Sequence, residues 1–150
     1  MGRQRLVRVS TGSCAITETA PGSYSLTASY PGDADFADSA TATARTETVG
    51  KASTKTQLTL STGSVTFGHE QQETFAVTEK PQYSGSPSGT VTVSTGQTVL
   101  CAATLSASGV ASCSHSSSAL AIGSWPVSAT YKGSSSFKGS HSSTKTVKVS

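Results

Sequence analysis

Few side chains in this sequence could do chemistry, and their spacing decides which kind. Cys101, Cys113 and His115 lie close together, with His69 further upstream. Thiolates and imidazoles ligate zinc, but structural zinc sites bring cysteines in as closely spaced pairs. Here eleven residues separate Cys101 from Cys113, so a disulfide is the simpler reading. Cys113 and His115 would point the same way on one strand, as a nucleophile and its base would. No third residue to orient the histidine is evident, nor is an oxyanion donor. The run "GDADFAD" offers Asp33, Asp35 and Asp38 to a calcium ion. It lacks the further ligands and the closing Glu of a complete loop, and turn amides are the simpler partners for these carboxylates. No phosphate loop, GxSxG motif or pair of catalytic carboxylates occurs. The chain therefore reads as non-enzymatic, with no catalytic residue, metal or cofactor expected.

The elements that position these residues are strands. Serine and threonine make up about a third of the 150 residues, Met1 is the only methionine, and Glu, Leu and Lys are sparse. Thr and Val dominate, and they suit a pleated, half-buried surface. From residue 55 onward the apolar positions alternate: Leu58 and Leu60, Phe75 and Val77, Val91 and Val93, then Trp125, Val127, Ala129 and Tyr131, then Val147 and Val149. Gly, Pro and Ser clusters punctuate them, notably "KPQYSGSPSG" and "SASG". About seven short strands in a hundred residues predict a Greek-key β-sandwich.

A disulfide fits this pattern. If "TVLCAATL" and "VASCSHS" form a hairpin turning about Ala107, Leu105 pairs with Gly109 and Cys101 faces Cys113. Facing residues on antiparallel strands lie within reach of an S–S bond, and such a bond implies an oxidising compartment.

Charge excludes little. Residues 1–49 carry four Arg against five acids, and residues 50–150 carry seven Lys against three, for a net charge of +3. The lysines are scattered without aromatic interleaving, so nucleic acid is not an expected partner. Nothing in the sequence has the length of a membrane span, and no signal peptide follows the basic start "MGRQRLVRVS".

The chain also repeats itself. "GSYSLTASYPGDADF", from Gly22, returns as "GSWPVSATYKGSSSF", from Gly123. At this offset of 101, Ser23, Ala28, Tyr30, Gly32, Phe36, Ser39 and Thr43 all recur. Such a period is one sandwich long. Residues 50–150 read as a complete unit and residues 1–49 as the C-terminal half of another. On this reading Cys14, which matches Cys113, is unpaired. Its partner is expected just before Met1, which makes Met1 a false start or the chain a piece of a longer protein.

The run from "TVTVSTGQTVLCAATLSASGVASC" to "LAIGSWPVSATYKGSSSF", with "TASYPGDADF" before it, resembles the bacterial Ig-like repeat domains of secreted and cell-surface proteins. The resemblance implies an immunoglobulin-like, all-β sandwich, used as a spacer or adhesive module. It implies neighbouring Ig-like repeats as partners, a protein or glycan ligand of unknown identity, and an extracellular or cell-surface location without membrane insertion. In such sandwiches an aromatic anchors the corner before the penultimate strand through its polar tip; Tyr24 and Trp125 occupy that position. A second reading, a carbohydrate-contacting accessory module of a secreted hydrolase, would use an exposed loop aromatic, for which Tyr83 is the candidate.

Overall fold

The structure is a computed structural model that describes residues 15–115 and 120–150 and the backbone of 3–8. Cys14 lies outside the described residues. The chain divides into two compact units, Met1–Lys51 and Ala52–Ser150.

Unit 1 is a single sheet. Its strands are β1 (Arg3–Arg8), β2 (Gly22–Tyr30), β3 (Ser39–Ala40) and β4 (Arg45–Val49). β2 is central: β3 and β4 pair with it antiparallel, and β1 runs parallel to it.

Unit 2 is a two-sheet sandwich. It begins with β5 (Thr54–Leu60) and the two-residue β6 (Ser64–Val65), then one turn of 3-10 helix (Glu70–Gln72). There follow β7 (Thr74–Pro81), β8 (Thr90–Thr95), β9 (Thr98–Thr104), β10 (Val110–Ser114), β11 (Gly123–Tyr131), the short β12 (Ser140–His141) and β13 (Lys145–Val149). One sheet has the order β10-β7-β5. The other has the order β6-β13-β11-β8-β9, with β12 also on β11. The predicted immunoglobulin-like Greek-key sandwich is thus present.

Period-two alternation builds the core. Leu58, Phe75, Val77 and Ala111 face inward from the first sheet, and Val91, Val93, Val127, Ala129, Tyr131, Val147 and Val149 from the second. Successive strand side chains alternate faces, so each Thr-Val-Thr-Val run gives one apolar and one hydroxyl-bearing surface. Burying one valine contributes roughly 1.5–3 kcal/mol, which is why short strands suffice.

The chain changes sheets on both open sides of the sandwich. On one side β5 pairs antiparallel with β7, and three residues later β6 pairs parallel with β13. On the other side the expected hairpin of residues 98–114 is not formed. β9 pairs with β8, whereas β10 pairs with β7 in the opposite sheet. Leu105 and Gly109, expected to pair with each other, bond elsewhere: the Leu105 N–H donates to the Gly89 carbonyl at 2.9 Å, and the Gly109 carbonyl accepts from the Glu79 N–H at 2.8 Å. Residues 105–109 form a corner closed by Ser106, whose N–H donates to Val110 and whose carbonyl accepts from Gly109. Gly109 has φ +73°, and a Cβ there would stand 2.8 Å from the Glu79 carbonyl oxygen, so the corner requires glycine.

The disulfide forms across this corner. Cys101 on β9 is bonded to Cys113 on β10, with Cα atoms 6.0 Å apart. It therefore joins the edges of two sheets rather than two strands of one. Replacing both cysteines with serine should lower the stability of unit 2 by about 2–3 kcal/mol, the loop-closure value for so short a ring. The measurement is the unfolding free energy from urea titration, midpoint and slope together, since the unlinked unfolded chain is less compact; a value equal to that of the parent would show that the corner holds without the staple.

Candidate functional site

Among the described residues the cysteines and histidines do not assemble a reactive centre. Both thiols of the Cys101–Cys113 pair are consumed by the disulfide, so neither serves as nucleophile or thiolate ligand. His115 is buried beside β10, and His69 is exposed before the 3-10 turn. No group of three or more His, Cys, Asp or Glu among the described residues is placed to hold a metal ion.

The acidic loop of unit 1 is a turn device. Asp33 Oδ1 accepts from the backbone N–H groups of Asp35 and Phe36, both at 2.9 Å, and Oδ2 accepts from the Tyr30 hydroxyl. The Tyr30 hydrogen bond, with those amides, holds the Asp33 carboxyl below its ordinary pKa. At the same place in unit 2 stands Ser134, whose Oγ accepts from Ser136 and Phe137 N–H at 3.3 Å. In both loops the first residue's N–H returns to the phenylalanine carbonyl at 2.9 Å. A carboxylate and a hydroxyl do the same work here. Asp35 and Asp38 remain exposed.

The corner aromatics also match. Tyr24 donates its hydroxyl to the Ala20 carbonyl at 2.6 Å, and Trp125 donates its indole N–H to the Ala121 carbonyl at 2.8 Å. Each reaches the carbonyl four residues upstream, although the rings differ in length. Tyr83 stands exposed on the β7–β8 loop, its hydroxyl accepting from the Gln82 side chain at 3.3 Å.

The most elaborate polar site was not singled out from the sequence. Glu73, buried at the start of β7, points its carboxylate into the crossover between β5 and β6. Its Oε1 accepts from the Ser61 N–H at 2.6 Å, the Ser61 hydroxyl at 3.0 Å and the Thr62 N–H at 3.3 Å. Its Oε2 accepts from the Thr62 hydroxyl and the Gly63 N–H, both at 2.7 Å. Three consecutive backbone donors converge on one anion: Thr62 and Gly63 lie between the two ladders, and Ser61 shares its N–H between Glu73 and the Thr74 carbonyl at 3.1 Å. Burial pushes the Glu73 pKa up, but these hydrogen bonds outweigh it and hold the group below its ordinary value.

Glu79, at the other end of β7, is the opposite case. It too is buried, and its Oε2 accepts from the Ser140 hydroxyl at 3.1 Å. Ser140 in turn bridges Thr54 and Thr56, both at 2.7 Å. Burial dominates over these hydroxyls, and the Glu79 pKa lies above its ordinary value. The alternation that places Phe75 and Val77 inward carries Glu73 and Glu79 inward as well, which was the available signal for both.

The two carboxylates give opposite pH dependences. Glu73 has a depressed pKa, so its contribution to stability is present above the unfolded value of 4.5 and is lost as pH falls through the folded value. Glu79 has a raised pKa, so its contribution is full below 4.5 and is lost as pH rises through the folded value. Glu73→Gln should cost about 1–3 kcal/mol at neutral pH, because an amide NH2 then faces donors, and the deficit should shrink in acid below 4.5. Glu79→Gln should gain in stability relative to the parent as pH rises above 4.5. Urea titrations at a series of pH values check both; parallel curves for parent and variants would refute the assignment.

Comparisons with known proteins agree with the geometry. Neither the curated proteins nor the solved structures returned a match to the chain. A family model described as bacterial Ig-like domain (group 3) matches residues 58–150. That span holds both sheets, the inter-sheet disulfide, the Trp125 corner and the Glu73 crossover, and the chain belongs to the bacterial Ig-like domain family.

Proposed function

We propose that the chain is a non-enzymatic structural and adhesive module of a secreted or cell-surface protein. On this reading tandem Ig-like repeats form a spacer that holds other modules at a distance. One observation carries the reading: the short second strand of unit 2, β6, and its last strand, β13, form a parallel clamp. Lys148 and Val149 on β13 pair with Ser64 and Val65 on β6. The Lys148 N–H donates to Gly63 at 3.0 Å, the Ser150 N–H to Val65 at 3.0 Å and the Phe67 N–H to Ser150 at 2.9 Å. Once tension reaches β6, it and β13 are pulled in opposite directions and the two parallel strands slide past one another. All three hydrogen bonds are then strained together rather than one after another. Glu73 grips residues 61–63 immediately ahead of the clamp. This is the construction expected of a link in a chain under tension.

Single-molecule stretching of the chain tests the proposal. The parent should rupture in one step, and Glu73→Gln should rupture at lower force. Reduction of the Cys101–Cys113 bond, whose sequence separation is 12, should lengthen the released contour by about 35 Å at ~3.4 Å per residue, less the spacing already spanned. A unit that yields gradually at low force, with or without Glu73, would remove the case for a spacer under tension.

A further inference from the structure

The two units carry the same C-terminal sequence pattern with opposite burial. Tyr131 is 1% exposed and Phe137 8%, whereas their counterparts Tyr30 and Phe36 are 37% and 68% exposed. Ala129 is fully buried, and Ala28 is exposed. What covers these residues in unit 2 is known residue by residue. Tyr131 and Ala129 pair with Val91 and Val93 on β8. The Tyr131 hydroxyl donates to the Ser88 carbonyl at 2.8 Å. The Phe137 ring lies so close to Gly85 that a Cβ there would stand 3.0 Å from its tip. Every one of these covering groups comes from the segment before β9.

In unit 1 the Tyr30 hydroxyl turns to Asp33 instead. The inner face of β2 and β4 borders a cavity of about 360 Å³ lined by Ile16, Glu18, Tyr24, Leu26, Glu47 and Val49. Along the edge of β2, β1 runs parallel beside Thr27, Ala28 and Ser29. β8 runs antiparallel beside the equivalent Ser128, Ala129 and Thr130.

We infer that the open face of unit 1 is a docking surface for the N-terminal half of a like Ig repeat, a segment of the kind formed by residues 52–115, which would add its β8-type strand to the edge of β2 in place of β1. The face is selective. Glu47 pairs with Tyr24 where Val147 pairs with Trp125, so a carboxylate stands where unit 2 buries a valine. The segment that fits best carries a Lys or Arg opposite Glu47. The choice of partner rests on the repeat reading proposed above. The stretching test concerns unit 2, so the two can fail separately.

The test compares the full chain with a fusion in which residues 52–121 are repeated ahead of it, both followed by amide exchange and mass spectrometry. In the fusion the amides of β2 and β4 should exchange at least about tenfold more slowly, approaching those of β11 and β13. Leu26→Asp, which alters only the unit 1 face, should abolish the gain. Glu47→Val should enlarge it, since the repeated segment is built to cover a valine there. Unchanged exchange in both the fusion and its Glu47→Val form would overturn the inference. So would a full chain that already protects β2 and β4 in a concentration-dependent dimer, which would make a second copy the occupant.

Discussion

A buried carboxylate holds the point where the chain leaves one sheet for the other. Changing sheets removes backbone donors from one hydrogen-bond ladder before the next can accept them. Each N–H left without an acceptor in a buried setting costs about 1–3 kcal/mol. At residues 61–63 the chain makes this passage, and Glu73 accepts from all three N–H groups, that of Ser61 shared with the Thr74 carbonyl, together with two hydroxyls. The parallel clamp of β6 on β13, and with it the closure of that side of the sandwich, depends on this anion. The opposite side is closed covalently, by Cys101–Cys113 across the corner at residues 105–109. One sandwich thus uses electrostatics at one crossover and a sulfur bridge at the other.

The two units show how much chemistry can vary while backbone shape persists. Asp33 and Ser134 cap equivalent loops, and Tyr24 and Trp125 tie equivalent corners to a carbonyl four residues back. What each position requires is an acceptor for two amides, or a donor at the end of a flat apolar ring. Charge and ring size are left free. This explains why all three acids of the loop, Asp33, Asp35 and Asp38, can be replaced between the two units without a change in its turn.

The strands were readable from alternation because every buried Val and Phe lies on one face of a short run. The Cys101–Cys113 pairing was expected from a hairpin register that does not form, and the bond spans the two sheets instead. The sheet change between β9 and β10 was not readable. The turn chemistry of residues 105–109 is the same whether the flanking strands stay together or part, and long-range neighbours decide: β8 claims β9, and β7 claims β10. Glu73 and Glu79 went unnoticed for a related reason. Carboxylates at strand ends normally face water, and only the folded arrangement shows which donors meet them.

The likeness of β2 to β11 has a consequence for the order in which the chain is made. Synthesis runs from the N-terminus, so β2 leaves the ribosome well before β8, and β8 before its proper neighbour β11. For the time needed to make the intervening residues, β2 is the strand already made that carries the β11 pattern. Mispairing between like strands is the characteristic error of repeat proteins. In the folded chain β1 lies parallel along the same edge of β2. Glu47, facing inward beside Tyr24, makes the wrong core the poorer one. β1 and Glu47 are thus the features in which unit 1 departs from unit 2 at the places where a β8-type strand would pair and pack.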